Sequence, residues 1–500
     1  MDVLTSFVFL LLFISSLVLL AESATRRCSN LPPGPWRLPV IGNLHQLGAK
    51  THRSLHKLAQ THGDIMCLQL GQLTTIIISS PSAARQVLQK QDQAFANRSL
   101  VDAIRCAGHH EKSVVFLPLS PKWRQLRKIC NSWIFSSQRI HASERLREQK
   151  LHELVTELRG SSSRGAVVWI GEVTFRASLN LMSNIFLSTD LDEPNSGKSL
   201  EFKKSFMSLL ELVGKPNLTD FFPWLAIVDP QRIRARVRRL FVEILSFMDS
   251  IIDQRMAERQ QPGRNEGQDR DVLDTLLNMA EDDHEDLTRI DIKHLLLDLF
   301  VAATDTTSGT LEWAMSELMR NPEAMARAKA ELDGVIGRGE QVKDSDVPRL
   351  PYLQAIVKET LRLHPVFPFL LPRKTARDEE LCGYKIPKGA QVLVNAWAIG
   401  RDRGAWGDDP DGFRPERFLG SDVDFRGGSF ELIPFGSGRR ICVGMPLAGR
   451  MLHLTLGSLV NCFDWKLEAN GEEAEDIDMG EVFGLTLQRA KPLRAVPVAV

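Results

Sequence analysis

The chain has 500 residues, 43% of them hydrophobic and 25% charged, which is ordinary globular usage and enough chain for a large buried core, as one big enzyme or two to three average domains. Lys and Arg total 62 against 62 Asp and Glu, so there is no overall field to attract nucleic acid, and a nucleic-acid partner is not expected. The seven cysteines (Cys28, Cys67, Cys106, Cys130, Cys382, Cys442, Cys462) are odd in number, scattered and free of any C-x-x-C pair, which argues against a disulfide framework and a zinc site and for a reducing compartment.

Residues Val3 to Ala21 form an apolar run broken only by Thr5, Ser6, Ser15 and Ser16. At about 1.5 Å per residue it is long enough to cross a hydrocarbon core of about 30 Å. A cleaved signal peptide is the rival, and the small residues around Ala21 and Ala24 would suit one. Against it, Asp2 stands where a positive charge belongs, and Arg26 and Arg27 follow the run, which leaves the body on the cytosolic side. The sequence therefore predicts a membrane anchor at residues 1–22, a linker and proline-rich hinge at 23–35, and a single large domain at 36–500. The hinge is Leu31-Pro32-Pro33-Gly34-Pro35, a stiff extended segment that cannot continue a helix.

Beyond the hinge no internal repeat or domain boundary is visible. Alternation between Gly63 and Ser80, ending in Thr74-Thr75-Ile76-Ile77-Ile78, predicts strands, and a second β cluster is expected from Tyr384 to Leu393. Helical spacing dominates elsewhere: Ala83–Gln89, Lys122–Ile134, Leu146–Leu158, Arg232–Arg259, Thr288–Arg320, Pro322–Val335, Tyr352–Leu363 and Met445–Phe463. The polar stretches Ser161–Gly165, Asp190–Lys198 and Glu258–Asp271 read as surface loops. The fold class expected is mainly α with a small β-sheet region.

The longest of these helices opens with Thr288 and an acid three residues on, and stops before Asn321-Pro322. Inside it lies Ala302-Ala303-Thr304-Asp305-Thr306-Thr307. An acid and hydroxyls in an apolar helix interior are costly unless satisfied or used, and threonine can bond back one turn and open the helix locally. Glu359 and Arg362 stand three apart and share a helix face, Phe413-Arg414-Pro415-Glu416-Arg417-Phe418 supplies another arginine, and Trp123 and Arg127 are one turn apart. Near the C-terminus comes Phe435-Gly436-Ser437-Gly438-Arg439-Arg440-Ile441-Cys442-Val443-Gly444. Its glycines permit tight packing against a flat cofactor, and its cysteine is set up as a metal ligand.

This last run matches F-x-x-G-x-R-x-C-x-G and resembles the cysteine loop of the cytochrome P450 superfamily. The other motifs follow in that family's order: a proline-rich hinge, W-x-x-x-R, an oxygen-groove helix, E-x-x-R and P-E-R-F. Phrases such as Gly309-Thr310-Leu311-Glu312-Trp313-Ala314-Met315 and Phe95-Ala96-Asn97-Arg98 look like microsomal plant A-type members, nearest in texture to the terpenoid-oxidising geraniol-hydroxylase and ferruginol-synthase kind.

The resemblance implies the cytochrome P450 fold and a haem b whose iron takes the Cys442 thiolate; such a ligand pushes electron density toward iron and favours O–O cleavage. It further implies Asp305 and Thr306 as acid and alcohol of a proton relay for oxygen activation, and Trp123, Arg127, Arg373 and Arg440 as propionate partners. Phe435 would shield the sulfur, and Glu359, Arg362 and Arg417 would form a buried structural cluster. Ala303 stands where the family usually has glycine, and Val443 where plant relatives usually have proline. The implied reaction is insertion of one atom of O2 into a hydrophobic small molecule, expected to be a terpenoid, with electrons from NADPH through NADPH-cytochrome P450 reductase, at the endoplasmic reticulum membrane. A phenolic or alkaloid precursor is the alternative substrate, and an O2-independent haem-thiolate isomerase or dehydratase the alternative reaction. Lys122, Arg124, Lys128 and Arg439 suggest a basic face for an acidic electron donor, because no flavin or nicotinamide fingerprint is visible. The loop Ile104–Phe116, Leu299, Ala302, and the segments Val366–Leu370 and Phe483–Leu485 are expected around the substrate.

Overall fold

The computed structural model describes residues 30–192, 197–261, 271–281, 286–467 and 477–500; the predicted anchor, the start of the linker, and parts of the Asp190–Lys198 and Glu258–Asp271 loops lie outside them. Among the described residues no helix is long and apolar enough to cross a membrane. The longer helices, in chain order, are α1 (Thr51–His62), α2 (Pro121–Ile129), α3 (Glu144–Ser163), α4 (Ile170–Leu187), α5 (Gly197–Gly214), α6 (Ile233–Arg259), α7 (Val272–Glu281), α8 (Arg289–Arg320), α9 (Pro322–Ile336), α10 (Pro351–Leu363) and α11 (Met445–Cys462). The strands are β1 (Ile65–Leu70), β2 (Leu73–Ile78), β3 (Asn97–Arg98), β4 (Val168–Trp169), β5 (Arg373–Lys374), β6 (Glu379–Leu381), β7 (Tyr384–Ile386), β8 (Gln391–Val394), β9 (Phe463–Leu467), β10 (Glu481–Phe483), β11 (Leu487–Arg489) and β12 (Arg494–Ala499).

The mainly helical class is therefore observed. The largest sheet has the order β1-β2-β8-β5-β3, with β2 and β8 parallel and its other pairs antiparallel. A three-stranded sheet β4-β12-β9 and the hairpins β6-β7 and β10-β11 complete the β structure among the described residues. The proline-rich segment lies against the large sheet: Cys67 N–H donates to Pro33 O at 2.7 Å, and a side chain at Gly34 would meet Cys67 O at 2.0 Å.

Helix α8 organises the molecule. Thr288 caps it, its side chain accepting from Asp291 N–H while the Asp291 carboxylate accepts from Thr288 N–H, and Pro322 ends it by opening α9. Its first half, Leu295 to Phe300, enters one apolar core with α4 to α7, and its second half, Leu311 to Leu318, enters another with α3, α10 and α11. The polar stretch Thr304 to Ser308 joins the two. Thr304, Thr306, Ser308 and Thr310 each donate to the carbonyl four residues earlier, at 2.8–3.0 Å, so the hydroxyls are satisfied along the helix. The helix runs unbroken from Arg289 to Arg320, and the local opening expected from the sequence is absent.

Two other expectations are corrected. Ser161–Gly165 is not wholly loop, because α3 continues to Ser163, with Ser161 and Ser163 bonding back to Glu157 O and Gly160 O. The helix predicted over Lys122–Ile134 changes at Cys130, where Cys130–Ile134 forms a wider π turn.

Candidate functional site

The cysteine loop folds as its glycines require. Gly436 and Gly438 take φ of 71° and 69°, and a Cβ on Gly438 would meet Leu88 O at 1.9 Å, so only glycine fits. Cys442 N–H donates to Phe435 O at 3.0 Å, which closes the loop around the sulfur. Helix α11 starts three residues later with Pro446 in its first turn, which supplies the preset φ that Val443 lacks.

Cys442 is accessible although it lies deep in the protein, because its open side faces an internal cavity. That cavity is lined by Leu181, Met182, Leu299, Ala302, Ala303, Thr306 and Thr307 from α4 and α8, and by Phe435, Val443, Leu447 and Met451 around the cysteine. Burial pushes the thiol up; the N–H groups of Gly444 and Met445, together with Arg127, oppose that. A coordinated metal cation removes such a proton outright.

Beside the loop, four guanidinium groups converge. Arg98 and Arg373 stand directly opposite each other in the β3–β5 pair, and like charges so placed repel. Burial and its neighbours Arg373, Arg440 and Arg127 push Arg98 well down; the same causes bring Arg440 down to about 9, and burial brings Arg373 to about 10. Guanidinium holds its proton too tightly to yield it here, so the arrangement calls for an anion instead. Asp92 is the nearby acid, and it is engaged by Arg439 at 3.1 Å. The arginines are fixed by backbone carbonyls: Arg98 by Val115 and Leu371, Arg127 by Ile441, Arg373 by Phe95, and Arg440 by Ala96, Val114 and Leu117. An open thiol beside a cation cluster whose nearby acid, Asp92, is engaged by Arg439 fits a metal-bearing, dianionic planar group such as haem.

The predicted residues divide as follows. Trp123, Arg127, Arg373, Phe435, Arg440 and Cys442 are brought together around the loop. The Trp123 indole N–H already donates to Val114 O at 3.2 Å, and its ring lies under the Arg440 guanidinium at 4.5 Å, so it props the cluster rather than offering a donor. Thr306 lines the cavity but Asp305 does not: its carboxylate accepts from Thr486 Oγ at 2.5 Å and Gln488 Nε2 at 2.9 Å. Burial raises the Asp305 pKa, and those two bonds oppose the rise.

Behind the loop, Glu359 and Arg362 have fully buried side chains and form a paired fork at 2.6 and 2.7 Å. Arg417 Nε reaches Glu359 at 3.3 Å, and Arg362 also donates to Gly400 O, Pro410 O and Gly412 O. The i,i+3 pair is thus a tie between α10 and the segment preceding the cysteine loop. On the expected basic face, Lys122 pairs with Asp291 at 2.7 Å and Arg439 with Asp92, so these two charges are matched within the protein. Leu299 and Ala302 line the cavity as expected, whereas Ile104–Phe116, Val366–Leu370 and Phe483–Leu485 do not reach its lining. Arg98, Thr486 and Gln488 were not predicted; a like-charged cross-strand pair and a distant hairpin leave no mark in a linear motif.

The family described as cytochrome P450 matches the chain over residues 32–493. A geraniol 8-hydroxylase of Catharanthus roseus is 52% identical over 497 residues, covering 99% of each chain. A drimenol monooxygenase of Persicaria hydropiper is 47% identical over 97% of this chain and 95% of its own. A 7-ethoxycoumarin O-deethylase of Helianthus tuberosus is 50% identical over 94% of each.

Proposed function

The chain belongs to the cytochrome P450 family, a haem-thiolate monooxygenase class, and we propose that Cys442 is its iron ligand and a terpenoid its substrate. The observation that carries the site assignment is that Cys442 and Thr306 line one cavity beside four converging arginines, of which Arg373 and Arg440 are buried. Bound haem supplies the oxygen-activating redox chemistry, using O2 and two electrons delivered from NADPH by a redox partner.

The chain's own residues do the rest. Cys442 binds the metal, with Gly444 and Met445 N–H groups directed at the sulfur. Arg98, Arg127, Arg373 and Arg440 hold the carboxylates of the cofactor's edge, and Trp123 keeps Arg440 in place. Glu359, Arg362 and Arg417 fix the segment behind the loop. Thr306 presents a hydroxyl proton at the cavity, replenished from Asp305. The apolar lining excludes water and orients a hydrophobic substrate mainly by shape.

The substrate proposal rests on relatives named for geraniol and drimenol, both terpenoid alcohols, together with that lining. The 7-ethoxycoumarin relative supports a second reading, oxidation of a phenolic ether. We assign the electron supply to NADPH-cytochrome P450 reductase docking near the exposed Arg124 of α2. Attachment to the endoplasmic reticulum membrane is proposed through residues 1–22. Titrating the purified holoenzyme with geraniol, drimenol and 7-ethoxycoumarin tests the substrate class. A terpenoid-induced spin shift followed by NADPH-dependent hydroxylation is expected, and response to 7-ethoxycoumarin alone would favour the second reading.

A further inference from the structure

We infer that Thr486 and Gln488 are positioning residues for the proton supply: they latch the Asp305 carboxylate away from the cavity, and its release toward Thr306 governs proton delivery. The inference rests on the reading of Asp305 as the proton source.

The latch is built, not incidental. Thr486 immediately precedes β11 and Gln488 lies within it, two residues apart and so on one face, and each donates to a different oxygen of Asp305, at 2.5 and 2.9 Å. Leu487 between them is fixed from both sides, its N–H donating to Val366 O at 2.8 Å and its carbonyl accepting from the Trp313 indole at 3.2 Å. Trp313 lies two turns along the same helix as Asp305, so the strand is tied to α8 at two heights. The Gly484 N–H donates to Thr486 O at 3.0 Å and closes the turn before the latch.

Both donors are neutral, and among the described residues no cation pairs with Asp305. The charged groups nearby are engaged elsewhere: Glu312 of α8 accepts from Leu493 N–H at 2.8 Å, and Arg489 of β11 donates to Asp478 O and Lys491 O and lies over Trp313 at 5.4 Å. A buried carboxylate held only by neutral donors exchanges a proton far more readily than one locked in an ion pair. Thr306, the next residue, donates to Ala302 O. Because the carboxylate is held outside the cavity lining that Thr306 reaches, the inferred transfer from Asp305 to Thr306 begins with loss of at least one hairpin donor. The strength of the latch therefore sets both its proton affinity and its reach.

The test uses the full-length holoenzyme and two measurements. In infrared titration, the protonated-carboxyl band that Asp305→Asn abolishes should titrate about one pH unit higher in Thr486→Val, since a hydrogen bond to the charged form is lost. Thr486→Ser should restore it. The pH profile of NADPH-dependent oxygen consumption should move by the same amount and in the same direction, with the KM for NADPH unchanged. If Thr486→Val lowers haem content, Gln488→Leu, which removes the other donor, is measured in its place. A band and profile unmoved in a variant with normal haem content would overturn the latch, as would failure of Thr486→Ser to restore them. Asp305→Asn with unaltered oxygen consumption would instead remove Asp305 from the proton path altogether, a failure of the underlying reading that is distinct from failure of the latch.

Discussion

Two adjacent residues of α8 face different worlds, and that separation predicts different phenotypes. Thr306 reaches the cavity, so Thr306→Ala should uncouple the enzyme. NADPH consumption should persist, peroxide should rise and product per NADPH should fall on the order of tenfold or more, with substrate affinity little changed because one hydroxyl contributes little to binding an apolar ligand. Paired assays of peroxide and product decide this; unchanged coupling would move the proton path to Thr307 or to the substrate. Cys442→His should bind some haem but lose the strongly red-shifted Soret band of the carbon monoxide complex, because imidazole donates less charge than thiolate. Retention of that band would place the ligand elsewhere. At this scale the sequence was legible where the chemistry is contiguous: the cysteine loop, whose glycines and aromatic are within seven residues of the sulfur, could be read directly. It was not legible where the partners are distant. Asp305 finds Thr486 across about 180 residues, and Arg98 finds Arg373 through a two-residue strand pair.

At the scale of elements, the tie between α10 and the segment before the cysteine loop predicts an effect on assembly of the cofactor cradle. Glu359→Ala leaves the buried Arg362, and the half-buried Arg417, without their acid, and stranding the buried charge costs about 3 to 5 kcal/mol. Holoprotein yield should collapse, whereas a normal yield with slow turnover would show that the cluster acts on catalysis instead. The C-terminal hairpin has a comparable anchor in Glu481 of β10, which takes His52 Nε2 at 3.0 Å and Arg53 Nε at 2.7 Å from α1. Burial alone would raise the Glu481 pKa, but these two partners outweigh it and hold the carboxyl far below the usual carboxylate range. A depressed folded pKa stabilises the fold above the ordinary carboxylate value and loses that contribution as pH falls toward and through the folded value. Glu481→Gln should therefore melt earlier than the parent at neutral pH, and the gap should narrow as the medium is acidified. A gap constant with pH would mean that packing, not charge, anchors the hairpin. Helices with long, regular apolar spacing, such as α6 and α8, were read to within a residue. The helices α1, α4, α5 and α7 were not read, because α4 is apolar on most sides and the others are bordered by polar stretches that mimic loops.

On the scale of the whole molecule, the membrane attachment proposed through residues 1–22 has a counterpart on the described surface. Two segments far apart in sequence expose large apolar side chains: Trp36, Val40 (79% exposed) and Ile41 after the hinge, and Trp224, Ile227 (92%) and Val228 (72%) before α6. The β1–β2 turn holds them together, since Gly71 N–H donates to Ile41 O at 3.2 Å and Gln72 N–H to Phe221 O at 2.9 Å. A side chain at Gly71 would strike Phe221 O at 2.6 Å, so the close approach depends on that glycine. Exposed apolar surface gathered into one patch marks a contact with another apolar phase rather than with water. Removing residues 1–29 should then release only part of the protein from microsomes and leave the haem spectrum intact, because an apolar run placed in a bilayer adds nothing to the apolar cores formed by the described residues. Adding Ile227→Asp and Val228→Asp to that truncation should complete the release, since each buried apolar side chain contributes about 1.5 to 3 kcal/mol to partition. Flotation on liposomes, with the spectrum as a control for folding, distinguishes the outcomes. Full release by truncation alone would confine membrane attachment to the N-terminal segment, and loss of the haem spectrum would show that this segment packs into the globule.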